Sequence, residues 1–121
     1  MQRGQATVEF ALTLPMVVLV LCALFEVGMV ASDQVRLWHA AREAARVAVV
    51  DPDPAAARRA AEDVGLDPVE VDVTPTGTAR RQGRPLTVSL TYHPRGRVPL
   101  VGEMFEFVVL HARATMRIEQ P

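Results

Sequence analysis

The residues best suited to chemistry are few, and most do not combine. His39, His93 and His111 are far apart in the chain, and none stands at metal-ligand spacing from another histidine or from cysteine. They read as surface or packing residues. Cys22 is the only cysteine and lies inside a long apolar run, so no internal disulfide can form. Val20 and Leu21 precede it where an acylation site needs small residues, so it reads as a small buried hydrophobe. Gly77-Thr78-Ala79-Arg80-Arg81-Gln82-Gly83-Arg84 lacks the lysine and spacing of a phosphate loop. Arg80, Arg81 and Arg84 could meet phosphate, lipid head groups or an acidic partner, but they read first as a solvated hairpin tip. No catalytic constellation, metal site, cofactor or small-molecule substrate is expected.

Glu9 is different. In Gly4-Gln5-Ala6-Thr7-Val8-Glu9-Phe10 a carboxylate stands at the mouth of a hydrophobic segment. Ionisable groups beside or inside a bilayer are costly and are retained mostly for function. If the chain is cut after Gly4, a new amine appears on Gln5, about 6 Å of helix rise below Glu9. A neighbouring helix shifted along its axis could set its amine against this carboxylate. Such a pair offsets much of the desolvation cost, and loss of one partner is strongly destabilising. Gly4 and Gln5 are thus the candidate processing site, and Glu9 with Phe10 the candidate registration site.

The element that must hold Glu9 is an anchor. Phe10 to Ala31 has Glu26 as its single ionisable residue, and these 22 positions would rise about 33 Å as a helix, enough for a hydrocarbon core. Val17-Val18-Leu19-Val20-Leu21 is apolar on every face, unlike a core helix of a soluble protein. A secreted or periplasmic protein released by signal peptidase is the rival. Its cut would fall before Ser32, with Ala31 at −1 but the large Met29 at −3, and the run is long for a signal core. Arg3 and the N-terminal amine favour a cytoplasmic N-terminus. Pro15 should loosen or kink the span, with Thr13 or a neighbouring helix serving the freed carbonyl. Glu26 is expected near the outer interface, snorkelling or touching another subunit within the membrane.

Beyond Ala31 an apolar stripe of Leu37, Ala41, Ala44, Ala45 and Ala48 recurs at three and four residues. Asp33, Gln34, Arg36, His39, Arg42, Glu43 and Arg46 fall between them, so the helix should continue to about Val50. Glu43 can meet Arg46 or His39 on the wet face. Asp51-Pro52-Asp53-Pro54 ends it and caps a short helix over Ala55–Val64, stopped by Gly65. Alternation over Val69–Val73, Leu86–Tyr92 and Phe105–Ile118 predicts three strands. The expected class is α+β. A long transmembrane helix continues into a small outer domain, where a short helix and a roughly three-stranded antiparallel sheet lay an apolar face on the helical spine.

The 121 residues suffice for about one domain. A net charge of −1 argues against nucleic acid as partner. All 13 basic residues are arginine, which reads as codon usage in a GC-rich bacterial genome.

Arg3-Gly4-Gln5-Ala6-Thr7-Val8-Glu9-Phe10-Ala11-Leu12, with Pro15 soon after, resembles the TadE-like family of tight-adherence (Flp) pilus assembly proteins. Ala40-Ala41-Arg42-Glu43-Ala44-Ala45-Arg46-Val47-Ala48 looks like that family's Ala/Arg-rich helix. The resemblance implies a non-catalytic pseudopilin or minor pilin with a pilin-like fold. It implies cutting after Gly4 by a membrane prepilin peptidase, leaving Gln5 as the mature N-terminus and Glu9 at mature position five. Phe10 stands where major Flp pilins more often have tyrosine. The expected layout is a leader over 1–4, a transmembrane helix over 5–31, its extracytoplasmic continuation over 32–50 and an outer domain over 51–121. Expected partners are the bacterial inner membrane, the peptidase and other Tad pilins. A simple membrane-anchored envelope protein is the remaining alternative.

Overall fold

A computed structural model describes residues 2–66, 68–95 and 97–120. One helix, α1 (Gln2–Ala48), makes up more than a third of the chain. Its 47 residues rise about 70 Å. The helix runs through Pro15 without interruption. Thr13 Oγ1 donates to the carbonyl of Phe10 at 3.0 Å, so its single proton does not serve Ala11, whose carbonyl Pro15 leaves without a donor. α1 ends two residues short of the expected Val50, just ahead of Asp51-Pro52.

α2 (Pro54–Glu62) follows at once. Asp53 caps it, its carboxylate accepting from Ala55 N at 3.0 Å, and Pro54 occupies the first turn, where a missing amide does no harm. The alanine stripe allows close approach. Ala41, Ala44 and Ala45 of α1 and Ala57 and Ala61 of α2 are all fully buried.

Strands β1 (Val69–Thr74), β2 (Pro85–Tyr92) and β3 (Leu110–Arg117) form an antiparallel meander in that order. Val71 faces Leu90, and Val88 faces Ala114. The inner face of β2 supplies the buried Leu86, Val88, Leu90 and Tyr92, which pack with Leu37 and the alanines of α1. Leu66 and Ile118 close the two ends of this core. The α+β architecture expected from the sequence is therefore present, with the sheet on the upper half of the long helix.

The third strand is shorter than its alternation implied. Residues Gly102–Phe105 form a 3-10 turn, and pairing begins only at Leu110, opposite Tyr92. β2 ends at Tyr92, so residues before Leu110 have no strand to pair with.

Candidate membrane and subunit interface

From Arg3 to Leu21 every residue of α1 is exposed. Phe10, Leu12, Met16, Val20, Leu24 and Phe25 are all exposed. Burial begins as a stripe with the half-buried Cys22 and Ala23, then continues through Glu26, Val30, Asp33, Leu37 and Ala40/Ala41. This is the i, i+3, i+4, i+7 spacing of one helix face. By length and composition α1 can cross a membrane.

Gly4 and Gln5 lie in the first turns of α1, exposed, and a Cβ placed on Gly4 would meet nothing within 4 Å. Glu9 and Phe10 follow on the same uncovered stretch. Glu9 makes no side-chain hydrogen bond or ion pair among the described residues. The structure thus leaves these four residues accessible without giving any of them a partner.

Glu26 is placed differently. It is only 1% exposed. Its two carboxylate oxygens accept from Arg97 N at 3.1 Å and Val98 N at 3.2 Å, both in the β2–β3 loop. Sequence reasoning had it snorkelling or meeting another subunit; here its own chain occupies it. Consecutive backbone amides aimed at one carboxylate form an anion-binding nest, and hydrogen bonds of this kind are among the stronger ones. The Arg97 side chain then runs to Asp33, its Nη2 at 3.3 Å from Oδ1. Glu26 and Asp33 are seven residues apart, two turns on one helix face. Asp33, grouped in sequence with the wet face, is in fact 2% exposed. Arg97 therefore ties the loop to α1 at two levels.

Arg80 corrects another expectation. It is not a solvated hairpin tip. Its guanidinium Nη2 donates to the carbonyls of Ala48 at 2.6 Å and Gln120 at 3.0 Å, and the residue is buried. A cation on the last carbonyls of a helix satisfies orphan acceptors and complements the helix dipole. Backbone bonds from Glu119 and Gln120 to the Val49 carbonyl complete this joint. Arg81 and Arg84 remain exposed.

Sequence reasoning missed Asp33, Arg97 and the inward role of Arg80. A weak signal existed for the first: Glu26 and Asp33 share a helix face with Leu37 and Ala41. For Arg97 and Arg80 there was none, because their acceptors are distant in the chain. The histidines stay on the outside. The His111 ring lies beside its cross-strand neighbour, Nδ1 3.4 Å from Thr91 Oγ1, while its backbone carbonyl accepts from Gln34 Nε2 at 3.0 Å. The Glu43–Arg46 pair forms at 3.7 Å on the exposed face, where such pairs add little.

These features define an α+β protein with one long helix whose apolar N-terminal part is uncovered, and a short second helix and small sheet packed on its upper half. Residues 4–46 match the family model described as TadE-like protein, which bears out the resemblance carried by Arg3–Leu12 and Ala40–Ala48. The match spans nearly all of α1 and stops before α2. No curated protein and no solved structure matches the chain.

Proposed function

We propose that this protein is a TadE-like pseudopilin or minor pilin that acts in assembly of a Tad (Flp) pilus or secretion system. It works without catalysis, through contacts between its rod and other rods. The observation that carries the reading is the stretch of α1 from Gly4 to Leu21: a largely apolar helix, exposed throughout, bearing at Glu9 a carboxylate without a partner among the described residues, all within residues 4–46. A bilayer supplies the covering that such a surface needs, and a neighbouring subunit's amine supplies the partner that Glu9 needs.

In this reading a prepilin peptidase cuts between Gly4 and Gln5 on the cytoplasmic side of the inner membrane, and α2 with the sheet stays outside. The bond lies in the first turns of α1, so the end must unwind to enter a protease. Terminal turns fray easily, and a helical glycine weakens this one by about 1 kcal/mol. The rival cut before Ser32 would remove Glu26, which serves Arg97 N and Val98 N. A processed protein of that kind would lose an anchor of its own loop.

The test is the mature N-terminus together with Glu9→Ala. Cutting is expected to yield Gln5 at the N-terminus, and Gly4→Ala to block it. Glu9→Ala is expected to be cut normally yet fail in assembly. Pili formed at the normal level in that variant would remove the registration role. A mature end at Ser32 would remove the anchor.

A further inference from the structure

The β2–β3 loop exposes large apolar side chains that no part of the chain covers. Leu100 is 80% exposed and Phe107 81%, with Met104 close behind at 68%. Leu100 also sits at φ +70°, a left-handed conformation that glycine adopts freely and leucine only with strain. Such strain persists where the surroundings over-determine it, often at contact sites. Here it holds a large hydrophobe at the tip of a loop.

The position of the loop is set by Glu26. Its amides at Arg97 and Val98 bond to a carboxylate that belongs to the apolar run, not to the polar helix above it. A helical side chain leans toward the N-terminus, so the contact lies near the level of Cys22 and Ala23, where burial on α1 begins. Counting about 20 residues of span upward from Phe10 puts the outer edge of the hydrocarbon near Met29, about 5 Å above Glu26. Leu24 and Phe25, at the same level on the helix, are exposed as well. From there the Arg97 guanidinium reaches up to Asp33, away from the bilayer centre. Met104 and Phe107 are three apart, as are Glu103 and Glu106. Met104 and Glu103 lie in the 3-10 turn Gly102–Phe105, and Glu106 and Phe107 follow just beyond its end.

We infer that the β2–β3 loop is a second membrane contact, with Leu100, Met104 and Phe107 seated at the outer interface of the bilayer beside α1. The occupant of this surface is lipid, at the boundary between acyl chains and head groups. The inference rests on α1 spanning the membrane. It adds that the outer domain does not stand clear of the lipid on a stalk but is seated on its surface. Glu26, inside the apolar run, then needs no partner from another subunit, because the loop brings backbone amides down to it.

Depth measurement tests this on the full chain in single-copy lipid nanodiscs. In a Cys22→Ser background, single cysteines at Leu19, Arg81, Leu100 and Phe107 carry an environment-sensitive fluorophore, and lipids brominated in the acyl chain act as quenchers. Leu19 reports the span, and Arg81 reports the far end of the sheet. Labels at Leu100 and Phe107 are expected to be quenched at least half as strongly as at Leu19, with Arg81 unaffected. Quenching at Leu19 with Leu100 and Phe107 behaving like Arg81 overturns the loop contact and leaves the anchor intact. No quenching at Leu19 overturns the anchor, and the loop contact with it. Protection at Leu100 and Phe107 that needs two copies per disc, without quenching by lipid, assigns the surface to a second copy and also overturns the inference.

Discussion

Glu26→Ala isolates the joint between the rod and the sheet. In the native structure two oxygens of Glu26 serve two consecutive amides, Arg97 N and Val98 N, at 3.1 and 3.2 Å. Hydrogen bonds to a charged acceptor contribute about 1.5–3 kcal/mol each, so the pair holds about 3–6 kcal/mol in gross terms. Alanine leaves a space that water can enter, which returns part of that sum. A net loss of about 2–3 kcal/mol in loop docking is expected. At about 1.4 kcal/mol per decade the opening constant rises roughly 30- to 140-fold.

Native-state hydrogen exchange of the full chain in nanodiscs reads this directly, because the two amides exchange through local opening of the loop. Their protection should fall by that factor, while amides of β2 such as Val88 and Leu90 stay unchanged. Trypsin should cut after Arg97 faster by a similar ratio. Two controls sharpen the result. Glu26→Gln keeps one acceptor and turns an amide group toward the other donor, so protection falls unequally at the two sites. Asp33→Asn disturbs the half-exposed Arg97 guanidinium but not the backbone bonds, so both amides should stay within about threefold of the parent. Equal protection of Arg97 and Val98 in the parent and in Glu26→Ala would refute the argument that this carboxylate holds the loop.

Two further outcomes follow from the packing. Arg80→Ala strips the buried donor from the carbonyls of Ala48 and Gln120 and should lower stability by about 2–4 kcal/mol, read as the chemical-denaturation midpoint in detergent; Arg80→Lys, lacking the fork, should recover less than half. Ala57→Leu pushes three more carbons into the closed seam between α1 and α2 and should cost about 1–3 kcal/mol by overpacking. The same change at the exposed Ala55 should leave the midpoint within about 0.5 kcal/mol.

Most of the architecture was readable because it rests on periodicity. The alanine stripe from Leu37 to Ala48, the Asp53 cap and the alternation in Val69–Val73 and Leu86–Tyr92 each carry their signal within a few residues. The shortened third strand shows where periodicity stops. Phe105 to Val109 alternates as well as Leu110 to Met116 does, but a strand needs a neighbour, and β2 has already ended at Tyr92. The joints were not readable at all. Arg80 was classed by its neighbours Arg81, Gln82 and Gly83 as a polar tip, yet it reaches carbonyls 32 and 40 residues away. Glu26 was judged as a side chain in lipid, because nothing in a sequence marks which amides will arrive beside it.

The joint at Glu26 also bears on how a rod-borne contact could reach the outer surface. A sheet held to its helix only at the top could swing, and the height of Glu9 in the membrane would say little about where the sheet faces. In this protein Arg97 spans two turns of α1, from Glu26 to Asp33, while Arg80 fixes the far end at Ala48. Two attachments separated by 22 residues of continuous helix, about 33 Å, leave the sheet little freedom to rotate about the rod. A shift of one rod against another at Glu9 would then appear as an equal shift between their sheets. Loosening either attachment should blur that transmission without touching Glu9 itself.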